Sequence, residues 1–514
     1  VSALARHPLI EALTNPQAYP KDVTEVRLAE THISWVFLTG RYAYKIKKPV
    51  KLPFLDFSTL ERRRYFCEQE LKLNRRLAKD LYIAVVPIGG TPEQPAVEVE
   101  PAIEYAVKML QFPDDALLDR RVRANDVPVA VLRDFAAELA RFHAQLPDLT
   151  DDPQPQLLLQ TVQNNLAELR ELAASAFAAE IAAVDAWTRT EGARIARTLS
   201  ARLAGKARKE CHGDLHLQNL VLLDGKIVAF DALEFDPRLR EIDVVSEASF
   251  PTMDLLAHRR PDLAYPFIAE YLESGGDYDG LEVLRFYLTY HAMIRAKVVA
   301  VKAQQARKRG ADMSAIRPYV ALAQELITPR RPLVLITHGL SGSGKTHITS
   351  ELIARLPALR VRSDLERKRT AGLAANAPSG SAVGGGLYTA DASAATYQRL
   401  SEIAAAAVRN RFDIIVDATF LRRRERDLVA RVAAEHGARF AILDCVAAPQ
   451  TLRQRIAARA AAGGDASEAT LAVLDLQLRT GEPLARAEQG AALTVDTDEA
   501  PDYDALTKRL LARA

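Results

Sequence analysis

Cysteine is scarce in this chain: three in 514 residues, Cys67, Cys211 and Cys445. Thiols that are scattered and odd in number cannot build a disulfide framework, which excludes stapled secreted scaffolds and suits a reducing compartment. An excess of charge of one sign is lacking too. The formal net charge is +2, too weak a field to draw the chain to nucleic acid or to an anionic membrane. No apolar run approaches the roughly 20 residues of a membrane helix. Residues 1–16 have neither the basic flank nor the apolar core of a signal peptide. A soluble, cytoplasmic protein with no membrane partner is the expectation. No internal repeat is visible. Apolar content, by contrast, is 48%, ample for ordinary cores, and this length suggests about two to four domains.

Residues 339–346 read Gly-Leu-Ser-Gly-Ser-Gly-Lys-Thr, the complete G-x-x-x-x-G-K-[ST] phosphate-loop pattern. An apolar run, 333–337, precedes it and a helix-compatible run, 347–356, follows. In that setting Gly339, Ser341, Gly342, Ser343 and Gly344 turn backbone N–H groups toward an anion at a helix N-terminus. Lys345 then reaches the β/γ-phosphates of ATP and Thr346 ligates Mg²⁺. Short apolar runs at 358–362, 413–416, 440–443 and 492–495 alternate with helical stretches, which predicts a three-layer α/β domain around a parallel sheet. The run 413–416 ends on Asp417, the pattern of a strand-end acid that holds Mg²⁺ through water.

Asp364 follows the second of these strands, at the carboxyl edge where α/β sheets bind ligands. It is placed to take the proton of an acceptor hydroxyl, or else to cap the next helix. Arg367 is placed to hold the acceptor. Arg455 and Arg459 share one helix face at i, i+4 spacing, suiting either a lid over the γ-phosphate or a solvated surface. The loop 374–386, rich in Gly, Ser and Ala, is either a cover over substrate or a flexible insertion.

A second phosphate-handling signature lies upstream. His212-Gly213-Asp214-Leu215-His216-Leu217-Gln218-Asn219 is followed by a short apolar strand, 227–230, and Asp231. In kinase-type catalysis an Asp takes the acceptor proton, an Asn five residues on holds metal, and a second Asp bridges Mg²⁺ to the triphosphate. Asp214, Asn219 and Asp231 have that order, with Asp224-Gly225 as the hairpin turn between them. His212 and His216 read as orienting residues, since no Cys/His cluster completes a zinc site.

This segment resembles the aminoglycoside phosphotransferase and choline kinase branch of the protein-kinase-like fold, whose catalytic loop reads H-G-D-x-H-x-x-N. The resemblance implies an α+β domain in which Lys45 anchors ATP, Glu70 pairs with that lysine, and the strand 105–109 ending in Met109 contacts adenine. Lys47, of the same strand parity, is the alternate anchor. The family's glycine-rich cover is not visible, because residues 29–34 hold no glycine. The P-loop half resembles the small kinase group that includes gluconate kinase-like, zeta-toxin-like and polynucleotide-kinase-like members. Fusions of the two form a bacterial family often labelled as AAA-type ATPases, yet no arginine-finger and sensor arrangement for a ring is evident, and the chain reads as two kinases.

The boundary is placed in the Pro/Arg-rich stretch 328–332, giving domains 1–328 and 329–514. The function expected is a bifunctional ATP·Mg²⁺-dependent phosphotransferase acting on hydroxyls of small molecules such as sugars, polyols, amino sugars or aminoglycosides. Two alternatives remain. The second domain could be a polynucleotide 5′-hydroxyl kinase gripping nucleic acid through Arg422, Arg423, Arg424 and Arg426, or the first could bind ATP without turnover and regulate the second.

Overall fold

The computed structural model describes residues 8–20, 22–52, 55–149, 155–305, 313–374, 377, 385–462 and 467–513. Most of the loop 374–386 therefore lies outside the described residues.

The chain opens with a six-stranded antiparallel sheet. The strands Arg27–Glu30, Ser34–Leu38 and Tyr42–Lys47 follow one another as a meander. The sheet continues through Glu104–Leu110 and Tyr82–Gly90 to Pro95–Val97. Aromatic and β-branched residues dominate the second strand, as a half-buried pleated surface favours, and Gly40 closes its turn at φ 91. The helix Leu60–Asn74 starts where the Thr59 hydroxyl accepts the Arg62 N–H. It packs on the sheet and buries Cys67, Glu70 and Leu73.

A helical lobe follows. The stretch Pro155–Ala204 forms two helical arms that meet at a kink at Phe177 (φ −141, ψ 30). The catalytic segment is a hairpin, Leu220–Leu223 with Lys226–Ala229. Its turn residues Asp224 and Gly225 have φ 48 and 76, as a two-residue primed turn requires. The helices Val129–Gln145, Val244–Ala257, Pro261–Gly275 and Leu281–Gln305 pack behind it.

The second half is a five-stranded parallel sheet in the order Ala358–Arg362, Asp413–Asp417, Leu333–His338, Arg439–Val446, Ala492–Asp496. Alternation along the central strand makes the layers. Leu333 and Leu335 face a core with Ile348 and Leu352 of the helix Lys345–Arg355. Val334 and Ile336 face the other way, onto a core shared with Tyr397 and Val429 of the helices Ala390–Arg409 and Arg423–Glu435.

The edge strand Ala358–Arg362 does not meet solvent. The helix Pro261–Gly275 of the first half lies against it and against the helix Lys345–Arg355, and Ala269 joins the core of the second half. An open sheet edge is thereby covered. All three cysteines are free and buried, and no described helix is long and apolar enough to cross a membrane.

Candidate active sites

Lys45 and Lys47, two residues apart on one strand, project to the same face and meet Glu70. Lys45 Nζ donates to Glu70 Oε1 at 2.8 Å, and Lys47 Nζ to Oε2 at 2.8 Å. Lys45 also pairs with Asp231, and Lys47 with Glu234. The reach of Lys45 to Asp231 distinguishes the two lysines. Burial by itself would lower the Lys45 ammonium, but Asp231 and Glu70 outweigh it and hold it well above its ordinary value. Two lysines here face three carboxylates, and burial raises the pKa of one of them, Glu234. Of those carboxylates Asp231 alone is substantially open to the cleft, its side chain 41% exposed. Its φ of 63 is unusual for a residue with a side chain, and its N–H is fixed by the Tyr82 hydroxyl at 3.0 Å.

Asp214 is linked to Phe230, the residue before Asp231, through His212. Asn219 Nδ2 donates to the Asp214 carbonyl at 2.9 Å and to its carboxylate at 3.0 Å. His216 Nε2 is 3.4 Å from the same carboxylate. Burial pushes the Asp214 carboxyl up, while His216, His212 and Arg295 together prevail and bring it down to about 2. Burial lowers the pKa of His212. Its Nε2 bonds the Phe230 carbonyl at 2.9 Å and its Nδ1 accepts the Asp214 N–H at 3.3 Å. Met109 is buried in an apolar cluster with Ala43 and Val107, against Val228 and Phe230, between the sheet and the catalytic hairpin.

In the second half the phosphate loop joins strand Leu333–His338 to helix Lys345–Arg355. Gly339 has φ 139, and a Cβ there would stand 2.3 Å from the Cys445 carbonyl, so only glycine fits. Lys345 Nζ donates to the carbonyls of Gly339 at 2.9 Å and Leu340 at 2.7 Å. Burial lowers this ammonium, opposed by Asp417 and Asp364. Asp417, 4% exposed, accepts the Thr349 hydroxyl at 3.1 Å. A cavity of about 420 Å³ opens over the loop and brings Thr346, Asp364, Arg367, Asp417, Arg455 and Arg459 to one wall system.

Three expectations change in detail. Asp364 is the second residue of helix Ser363–Thr370, whose cap is Arg362, so the capping alternative for Asp364 does not hold. Arg367 is already engaged by the Leu387 carbonyl at 2.8 Å and Ser393 Oγ at 3.2 Å. Its buried Nε, by contrast, has no hydrogen-bond partner among the described residues. Arg455 is pinned to the Gly342 carbonyl at 3.3 Å and Thr497 Oγ1 at 2.9 Å, so it braces the loop rather than swinging as a lid. Arg459 donates to the Ala469 carbonyl at 3.2 Å. Helical spacing gave these two a common face but not their partners.

Residues 67–285 match the family described as phosphotransferase enzyme family, and residues 334–484 match the family described as AAA domain. The uncharacterized protein Rv2004c of Mycobacterium tuberculosis is 30% identical over 464 residues, which cover 87% of this chain and 89% of that protein. The uncharacterized protein Mb2027c of Mycobacterium bovis matches to the same extent. The chain belongs to the family of these mycobacterial proteins. It joins an aminoglycoside-phosphotransferase-like domain to a P-loop kinase-like domain, and it is a kinase. Among solved structures, the amicoumacin kinase hAmiN is 14% identical, covering 63% of this chain and 95% of its own, with a TM-score of 0.38. A sugar kinase from Janibacter sp. HTCC2649 is 20% identical, covering 36% of this chain and 96% of its own, with a TM-score of 0.28.

In this family member several supporting residues escape sequence reasoning. Glu247 accepts the backbone N–H groups of His212 and Gly213, both at 2.7 Å, and so holds the catalytic loop in place. Its second oxygen bonds His143 Nε2 at 2.8 Å, and His143 Nδ1 bonds the Tyr271 hydroxyl at 2.9 Å. The only signal was a lone carboxylate in the apolar run 244–250. His143, Cys211 and Glu247 cluster closely enough to suggest a metal site. Both Glu247 oxygens are nevertheless committed to protein donors, and burial drives the Cys211 thiol well above its ordinary value, away from the thiolate a metal needs. Glu247→Leu is expected to strand two buried N–H groups at roughly 1–3 kcal/mol each, read as a lower midpoint in urea unfolding. An unchanged midpoint would contradict this role.

Proposed function

We propose that the chain is a bifunctional ATP-dependent phosphotransferase, each half moving a γ-phosphate to a hydroxyl of a small molecule such as a sugar, polyol, amino sugar or aminoglycoside. The observation that carries this reading is the repetition of one chemical set on two unrelated scaffolds. Each half presents a lysine beside a carboxylate, with a second carboxylate across the opening: Lys45, Asp231 and Asp214 in one, Lys345, Asp417 and Asp364 in the other.

The donor sets fit a hard divalent cation. Asp231 and Asn219 would hold it at the first site, where Asp231 is open to the cleft; Thr346 and Asp417 would hold it at the second. Magnesium held there would supply positive charge that stabilises the phosphoryl group in flight. Lys45, kept charged by Glu70 and Asp231, steadies the phosphates of the first nucleotide, and Met109 belongs to the apolar bed for its base. The backbone N–H groups of the phosphate loop and Lys345 do the same for the second. The acceptor oxygen forms its bond to the γ-phosphorus as the bond to the ADP oxygen breaks, and the acceptor proton passes to Asp214 or Asp364. A carboxylate held near 2 is a weak base, so Asp214 chiefly orients the hydroxyl and takes the proton late. Arg367 and Arg459 line the second cavity together with Asp364, as residues that would hold the acceptor.

The nucleic-acid reading has less support. Arg426 is buried against Glu488 and the Phe420 carbonyl, and Arg422 pairs with Glu482, so these arginines hold the domain together rather than line a phosphate track.

The test is a screen of hydroxylated metabolites with the full chain and γ-labelled ATP, repeated with Asp214→Asn and with Asp364→Asn. Each variant is expected to abolish a different labelled product. Sensitivity to Asp364→Asn alone would make the first domain a regulator; indifference to both would refute the acceptor assignments.

A further inference from the structure

The helix Pro261–Gly275 belongs to the first domain, yet its Glu273 lies inside the second. Arg360, on the edge strand Ala358–Arg362, donates to both Glu273 oxygens, Nε at 2.5 Å and Nη2 at 2.9 Å. The pair is sealed from water, at 2% and 3% side-chain exposure. Tyr278 of the first domain adds a bond to the Arg360 carbonyl at 3.0 Å.

The remaining nitrogen of Arg360 points at the phosphate-loop helix. Nη1 donates to Ser350 Oγ at 2.7 Å and to Thr349 Oγ1 at 3.4 Å. Each hydroxyl has one proton to give. Ser350 gives its proton to the Thr346 carbonyl at 2.8 Å. The Thr349 hydroxyl has two acceptors in reach, the Thr346 carbonyl at 3.2 Å and Asp417 Oδ2 at 3.1 Å; with Ser350 already on that carbonyl and Arg360 on the Thr349 lone pair, the carboxylate is the stronger acceptor for its proton. Thr346 and Asp417 are the two residues assigned to metal at the second site, and the guanidinium reaches the Thr346 carbonyl and the Asp417 carboxylate through one layer of hydroxyls.

We propose that Glu273 is a positioning residue for the second kinase site: by fixing Arg360 from the neighbouring domain, it orients the hydroxyls that aim Asp417 and seat Thr346 for the metal. The phosphate loop itself, built from backbone N–H groups, does not depend on it. This rests on the two-site reading above. It makes metal use at the second site a property of the joined chain, since the second domain has no carboxylate of its own bonded to Arg360 among the described residues.

The test uses the full chain carrying Asp231→Asn, so that metal-dependent binding reports on the second site. AMP-PNP is titrated at rising Mg²⁺, and ADP is titrated in EDTA. Outer-layer partners of metal ligands are typically worth about 10–100-fold in metal affinity. Glu273→Gln is therefore expected to raise the Mg²⁺ concentration for half-maximal AMP-PNP binding about tenfold, at the low end of that range. ADP binding in EDTA should stay within about twofold, because it uses the backbone cradle. The pair Glu273→Leu with Arg360→Met fills the same space without charge; it should fold and keep a raised midpoint. Ser350→Ala, which leaves the ion pair intact, should shift the midpoint in the same direction. A parental Mg²⁺ midpoint in any of these folded variants that retains AMP-PNP binding would show that the ion pair serves stability alone. Absence of nucleotide binding in the Asp231→Asn parent would instead overturn the two-site reading, whatever Glu273 does.

Discussion

Replacing Asp214 with alanine is expected to slow transfer by the first site by about 10²–10⁴-fold, the range a positioned proton acceptor contributes, while the second site's product forms at its normal rate. Asp214 is held by Asn219 and faced by His216, so its carboxylate has one orientation to offer an acceptor. Removing it leaves Lys45, Glu70 and Asp231 untouched, and ATP affinity at that site should therefore change little. The loss belongs in kcat rather than in the KM for ATP. Single-turnover transfer with saturating ATP checks it; a fall in ATP affinity with transfer preserved would mean that Asp214 serves the nucleotide.

Lys345→Met carries the second large effect, a loss of transfer at the other site by about 10³-fold, the scale on which charge stabilisation of a moving phosphoryl group operates. Methionine keeps the length and apolar stem of lysine but not the ammonium that now bonds the Gly339 and Leu340 carbonyls. Methionine fills the space of the lysine stem, and the fold should survive. The burial that lowers the Lys345 ammonium strengthens every charge interaction it makes with phosphate, so its loss is costly. Product formation by the first site is the internal control: if both products vanish together, one active centre makes both.

What was legible in the sequence was local. The phosphate loop and the His212–Asn219 loop declare themselves because their groups act through backbone geometry within eight consecutive residues. Strand Asp413–Asp417 and its terminal carboxylate were equally readable from apolar content. Lys45 and Glu70 could be named from their order along a kinase-like chain, but the choice between Lys45 and Lys47 needed the approach of Asp231 in space. Contacts made by groups far apart in sequence stayed hidden. Glu247 supports a loop 35 positions away and Glu273 meets Arg360 across 87. Nothing local marks a glutamate for such a partner, because the pairing depends on how whole helices dock. Arg455 shows the same limit: its helix position fixed its face, whereas its bond to Thr497 followed from where the last strand ends.

The most direct measurement is the number of AMP-PNP·Mg²⁺ molecules bound per full-length chain, by calorimetric titration to saturation. Two are expected, falling to one in Lys345→Met and to one in Asp231→Asn, with the surviving site unaltered in each. One molecule or none bound to the unmodified chain would contradict the account.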